Sequence, residues 1–300
     1  MTGIIIVDKP QGMTSQDVVG KVRRIFGQRE VGHGGTLDPM ATGVLPVFLG
    51  RATRASAYTL ESDKTYAARL KFGIVTDTQD VTGTVVEKSG TVPTLEKVKK
   101  VLPQFRGTIQ QTPPMYSAVK VNGKKLYELA RKGIEVERTA REVMIYRLEL
   151  LLESPFGTVP GEDELDILVS CSKGTYIRTL GEEIGKACEC GAALSALRRL
   201  NAHGFDIAEA HTLEELEQMK AENRLPEAVR PVDSIFSDLK ALTLNEDGTQ
   251  RIRRGAPVYL YEAPGKYRLY EQNGTFLGIG NVRETDRRPE LMIERGFFEV

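Results

Sequence analysis

The 300-residue chain has no tryptophan, only three cysteines and three histidines, and no net charge, with 41 basic against 41 acidic residues. Each scarcity excludes something. Cys171, Cys188 and Cys190 make no disulfide framework, which places the chain in a reducing compartment, the cytoplasm by default. Cys188-Glu189-Cys190 stands without a second pair, and His33, His203 and His211 are scattered, so no metal site is expected. No run approaches the roughly 18 apolar residues of a membrane span. The opening Met1 to Asp8 has no basic segment and meets a charge too early for a signal peptide. Neither GxxxxGK[ST] nor a GxGxxG following a strand occurs, and there is no GxSxG elbow, so no nucleotide cofactor or serine-hydrolase chemistry is indicated.

What is present is an ordinary globular composition, 40% hydrophobic and 27% charged, long enough for two domains. The neutral total conceals segregation. The stretch from about 106 to 147 holds nine lysines and arginines against four glutamates, whereas 148 to 166 holds six acidic residues and no basic one. A protein with one polyanion-facing side shows this pattern, although charge runs are more often plain solvated faces.

Periodicity gives a mixed order of elements. Gly3 to Val7 reads as a buried strand, followed by an amphipathic helix through Val18, Val19, Val22, Ile25 and Phe26, capped by Thr14 to Asp17 and stopped at Gly27. Tyr66–Phe72, Thr82–Val86, Leu148–Leu152 and Glu164–Cys171 read as strands. Leu95–Leu102, Leu126–Lys132, Tyr176–Cys188 and Leu213–Ala221 read as helices. Without regular βαβ alternation the class is α+β. A boundary near Pro231 to Leu242 precedes a β-rich module with a hairpin turn at Asn273-Gly274.

The densest signal is Gly32-His33-Gly34-Gly35-Thr36-Leu37-Asp38-Pro39-Met40-Ala41-Thr42-Gly43-Val44-Leu45-Pro46. Four glycines in fifteen residues bring main chain close to a ligand, and one carboxylate, Asp38, sits at the centre. Asp-Pro is a common turn, and for the tripeptide alone that reading is favoured. Its apolar neighbours imply a partner for the charge if it is buried. Arg178, in the first turn of a helix where the dipole disfavours a cation, makes sense facing a carboxylate or phosphate.

Together these segments resemble the TruB family of bacterial tRNA pseudouridine synthases, which act on uridine 55 of the T-arm. The likeness rests on Lys9-Pro10, Gly12 and Thr14-Ser15; on Gly32 to Leu45 apart from Met40; and on Lys64-Thr65-Tyr66, Thr76-Asp77-Thr78, Asp80 and Gly83. It continues through Pro113-Pro114, Tyr116-Ser117-Ala118, Lys120, Gly123, Lys125, Tyr127, Ala130-Arg131 and Gly133, then Arg178 and Leu197-Arg198-Arg199. It spans roughly residues 3 to 235.

The resemblance implies a pseudouridine-synthase fold, a mixed and largely antiparallel sheet flanked by helices and loops, over residues 1–238. A small β-rich PUA-like domain over 239–300 follows. It implies an isomerase that flips the uridine, breaks its glycosidic bond and rejoins C5 to C1′, without cofactor or metal. Asp38 is the expected catalytic carboxylate, with attack on C1′, attack on uracil and stabilisation of cationic charge all left open. Arg178 is expected to aim it through a bidentate fork. Tyr66 is expected against the base, for the late proton step at C5. His33 is expected to fill the space vacated in the RNA, and Tyr176 and Leu197 to wall the pocket. Lys9, Lys120, Lys124, Lys125, Arg131 and Lys132 are expected on the tRNA T-arm stem-loop. A cytoplasmic monomer without obligatory protein partner or membrane is implied. The alternatives are an RNA chaperone that folds tRNA with catalysis secondary, and a synthase of a guide-RNA complex, against which the short chain argues.

Overall fold

The computed structural model describes residues 1–60, 62–121, 123–286 and 288–298. Among them, nine strands form the main sheet: β1 (Gly3–Lys9), β2 (Val31–His33), β3 (Thr42–Leu49), β4 (Lys64–Phe72), β5 (Gly107–Gln111), β6 (Arg141–Leu150), β7 (Glu164–Cys171), β8 (Ala192–Ala202) and β9 (Phe205–Asp206). Their order is β1-β3-β8-β4-β7-β6-β5, with β2 on β3 and β9 on β8. Every pairing is antiparallel except β3 with β8, which run parallel at Arg198 opposite Thr42 and Arg199 opposite Gly43. The expected α+β class with a mixed, largely antiparallel sheet is what the chain adopts.

The apolar run in β1 buries both faces. Ile4 and Ile6 enter one core and Ile5 and Val7 another, each contributing about 1.5–3 kcal/mol on burial. Helix α1 (Ser15–Phe26) covers the second face with Val18, Val19, Val22 and Ile25. It begins as its sequence dictates, with Thr14 accepting from Asp17 N and Asp17 reaching back to Thr14 N, and it ends on left-handed Gly27. Helix α2 (Ile177–Ala187) packs Ile177, Leu180 and Ile184 against Leu70, Leu194 and Val169 in the largest core.

A second sheet orders Lys240–Leu244, Gly265–Glu271, Phe276–Arg283, Glu290–Gly296 and Val258–Tyr259, beginning with a parallel pair. Ile279 and Phe297 share a core with Ile4, Val44, Phe48 and Phe236, so the C-terminal sheet is packed onto the back of β1 and β3.

Several elements differ from the sequence reading. Leu152 is fully exposed, and the strand it was expected to close runs instead from Arg141 to Leu150. The Thr82–Val86 strand shifts to Val85–Lys88 because Asp80 holds residues 78–82 in a turn. Strand β8 was not anticipated. Its sequence, AALSALRRLNA, favours helix, and it becomes a strand because β4 and β3 bind it on both edges.

Candidate active site

Residues 34–41 join β2 to β3 and are fixed from several sides. Gly34 N donates to Pro46 O at 2.9 Å, and a Cβ there would fall 2.1 Å from Thr59 Oγ1. Gly43, at φ +101°, lies so close to β8 that a Cβ would sit 2.2 Å from Arg199 O. Ser15 Oγ accepts from Leu37 N at 2.9 Å and donates to Leu37 O at 3.2 Å. Arg199, 1% exposed, donates from Nε to Val44 O and from Nη2 to Gly35 O, at 2.7 and 3.2 Å.

Lys9 completes this bracing. It was expected to contact RNA, but it is fully buried, and its ammonium donates to the carbonyls of Met13 (2.6 Å), Pro10 (2.8 Å) and Pro39 (3.4 Å). Burial pulls its pKa down to about 8, against the opposing pull of the nearby Asp38 carboxylate. Its β-strand parity points it inward, so Lys9 supports the loop from beneath.

The loop presents Asp38 to Arg178 in the first turn of α2, with Oδ2 3.0 Å from Nε. The expected bidentate fork is not formed. Arg178 spends Nη1 on Thr78 O (2.9 Å) and Nη2 on Tyr116 O (2.8 Å), with Nη1 also 3.8 Å from Asp80 Oδ2. Two backbone carbonyls and a second carboxylate compete for the fork, so it ties three segments together rather than clamping one. Asp80 is itself oriented by Thr78 Oγ1 and Thr82 N. The Asp38 side chain stays 40% exposed while that of Arg178 is 7% exposed, which leaves carboxylate surface open beside a buried cation.

Tyr66 and Leu197 lie in one core with Leu37 and Met40, the residues flanking Asp38 and Pro39. Burial raises the Tyr66 pKa, partly offset by its hydrogen bond and proximity to Arg199, so it is a neutral phenol at pH 7. Tyr176 caps α2, clamped through its backbone by both ends of the Gln111 amide (2.7 and 3.1 Å) and covered by the Arg141 guanidinium 5.2 Å from its ring. His33 ends β2 with Nδ1 buried and unpartnered; burial and then Arg199 push its pKa down, making it neutral at pH 7. Lys120, Lys124, Arg131 and Lys132 are exposed, and Lys125 and Arg131 stand over Tyr127, each about 5.4 Å from its ring. These cations are not gathered around Asp38; the segment reaches the site through the Tyr116 carbonyl on Arg178.

Arg199, Asp80, Ser15 and Gln111 are functional supports that residue-level reading missed. The Arg198-Arg199 doublet inside a run ending in Leu and Ala carried a signal, since two charges in a strand need partners. Arg198 finds Asp8 at 2.6 Å, and Arg199 finds the loop. Among the described residues no cluster of His, Cys, Asp and Glu is suited to a metal. Cys171, Cys188 and Cys190 are buried free thiols, Cys171 pushed up to about 12 by burial. No helix of the described residues is long and apolar enough to cross a membrane.

An exposed carboxylate on a loop fixed by buried side chains, paired with one arginine and set near a buried phenol, is a group able to act as a nucleophile or to stabilise positive charge. A model described as TruB family pseudouridylate synthase (N terminal domain) matches residues 23–177. The tRNA pseudouridylate synthase B C-terminal domain matches 178–237, and Pseudouridine synthase II TruB, C-terminal, matches 241–290. The chain is 45% identical over 293 residues to a tRNA pseudouridine synthase B of Stutzerimonas stutzeri, covering 96% of this chain and 93% of that one. It is 46% identical over 294 residues to the protein of that name from Caldanaerobacter subterraneus subsp. tengcongensis, covering 97% and 98%. A chain in a crystal structure of a Cbf5-Nop10-Gar1 complex matches with a TM-score of 0.72 and 26% identity, over 99% of this chain and 85% of that one. The chain belongs to the TruB family of pseudouridylate synthases.

Proposed function

We propose that this pseudouridine synthase acts on tRNA, converting uridine 55 of the T-arm with Asp38 as the catalytic carboxylate. The observation that carries the reading is the 3.0 Å contact of Asp38 with Arg178, made from a loop that buried side chains hold in place. The flipped uridine enters between Asp38 and the Tyr66–Leu197 surface. Its N1–C1′ bond breaks, uracil turns in place, C5 joins C1′, the C5 proton leaves to solvent and N1 takes a proton up, so composition is conserved and no external oxidant or reductant is needed. Tyr66 takes any part at C5 from its neutral form. Residues 1–238 carry this chemistry, and Lys120, Lys124, Lys125, Arg131 and Lys132 grip the T-stem phosphates. His33 fills the gap left in the RNA, Tyr176 walls the pocket, and residues 239–300 form an accessory PUA-like domain. The enzyme works as a cytoplasmic monomer.

Tritium release from tRNA labelled at uracil C5 tests this. Asp38→Asn should lower release by at least about a thousandfold while tRNA affinity stays within about tenfold, because the isostere removes chemistry and keeps phosphate contacts. Undiminished release would remove Asp38 from the mechanism. Accelerated tRNA folding by the same variant would separate a chaperone activity from catalysis.

A further inference from the structure

The turn at 76–83 presents three consecutive residues to helix α2. Thr78 O accepts from Arg178 Nη1 at 2.9 Å, and Asp80 Oδ2 lies 3.8 Å from the same nitrogen. Between them stands Gln79, whose amide bonds to other residues of the helix. Its Oε1 accepts from Thr179 Oγ1 at 2.8 Å, and its Nε2 donates to the Glu182 carboxylate, which also pairs with Lys186. Thr179 and Glu182 are three apart and share one face of α2. The amide fits only this way round, because its oxygen, if flipped, would face the Glu182 carboxylate.

The backbone at Gln79 is strained. Its φ of +65° lies in the left-handed region, which glycine adopts freely and a long side chain does not. Such a conformation persists where the surroundings over-determine it, and it gathers at functional sites. Here the turn is also held from its other side. Gln79 O accepts from Leu194 N at 3.0 Å, Val81 N donates to Leu194 O at 2.9 Å, and Thr76 Oγ1 donates to Asp80 O at 2.7 Å. Strand β8 therefore keeps the turn folded, and what the amide adds is the position of the turn along α2. Arg178 divides its fork among this turn, Tyr116 O and Asp38, so a shift of the turn redirects the Nε that faces the carboxylate.

We propose that Gln79 is a positioning residue for the reaction: its amide sets the register between the 76–83 turn and α2, and through that register the aim of Arg178 at Asp38. The inference rests on Asp38 as the reacting carboxylate. It is tested in the full-length protein by single-turnover tritium release from tRNA labelled at uracil C5, with tRNA affinity and urea unfolding measured in parallel. Gln79→Gly removes the amide and relieves the left-handed backbone, so the fold is kept while the register is lost. The rate at saturating enzyme should fall about tenfold, the scale of a sub-ångström misplacement, with tRNA affinity within about twofold of wild type. Thr179→Val, a change of the same shape that leaves the turn's backbone alone, should cost about as much. Combining the two should add no more than about twofold, because both remove one contact. Adding Gln79→Gly to Arg178→Lys should likewise cost less than about twofold, since the shared fork is already gone. A wild-type rate in Gln79→Gly would overturn the proposal. Losses that multiply in the Arg178→Lys background, or a loss carried by tRNA affinity, would overturn it too. An undiminished rate in Asp38→Asn would instead sink the reading beneath it, so the two failures are distinguishable.

Discussion

Residues 34–41 and the basic insertion around 106–147 meet the same substrate in the proposed reading but are held by opposite means. The loop is short, rich in glycine, and tied by side chains from three distant elements, Lys9, Ser15 and Arg199, all nearly inaccessible to water. The insertion is long; its two ends, β5 and the start of β6, are strands of the main sheet, and the described residues between them include the two-residue strands Lys120–Val121 and Lys124–Lys125. It keeps most of its cations exposed, with a tyrosine lying beneath two of them. Chemistry at one atom requires a carboxylate placed to within a fraction of an ångström, so the loop is overdetermined. Gripping a polyanion requires only charge within reach of phosphates, so the insertion can stay adaptable. Arg178 touches both, through Asp38 and the Tyr116 carbonyl.

The comparison breaks most visibly if the loop's bracing is removed. Arg199→Met leaves Val44 O, Gly35 O and the Tyr66 hydroxyl without their buried donor. It should lower stability by about 2–4 kcal/mol in urea unfolding, with turnover falling alongside. Stability within 0.5 kcal/mol, on the order of a surface substitution, would refute the bracing role. Next in size, Arg178→Lys supplies one point charge for four acceptors and should lower kcat about a hundredfold while tRNA affinity changes a few-fold. Equal losses in affinity and kcat would mean that Arg178 serves binding rather than placement. Replacing Lys124, Lys125, Arg131 and Lys132 by glutamine should weaken tRNA binding about tenfold or more at low salt and flatten its dependence on salt. Saturated turnover and stability should stay close to wild type. An unaltered salt slope would take the insertion out of the interface.

The smallest effect concerns Lys9. Its folded pKa of about 8 lies below the unfolded value near 10.5, so between those values the unfolded chain holds a proton that the folded chain has released. Stability therefore rises with pH across that window, by up to about 1.4 kcal/mol per unit, relative to Lys9→Met. Identical pH profiles for the two proteins would show that Lys9 keeps its proton in the folded state.

Local rules were legible where an element depends on its own residues. The capping box and left-handed stop of α1, the both-faces-buried β1, and the glycine-rich break around Asp38 could be read directly, because caps, apolar runs and glycine act within a few residues. The position of Arg178 was legible too, since a cation in a first helical turn asks for an anion, though not its division among Asp38, Asp80 and two carbonyls. Strand β8 was illegible because its residues prefer a helix, and only its neighbours on both edges make it a strand. Lys9 was misjudged because a lysine is ordinarily at the surface, and nothing local announces three carbonyls converging on its ammonium.

By itself the sequence determined the class of fold, the family, and the one carboxylate set among glycines, all written in contiguous residues whose conformational limits are short-range. The tertiary structure alone decided which charges face inward, how far the arginine of α2 is shared, and that the turn at 76–83 is set against that helix. Those outcomes depend on residues separated by as many as 190 positions, as with Asp8 and Arg198. Their pairing is set by the desolvation of buried charge, which has no meaning until the sheet has assembled around them.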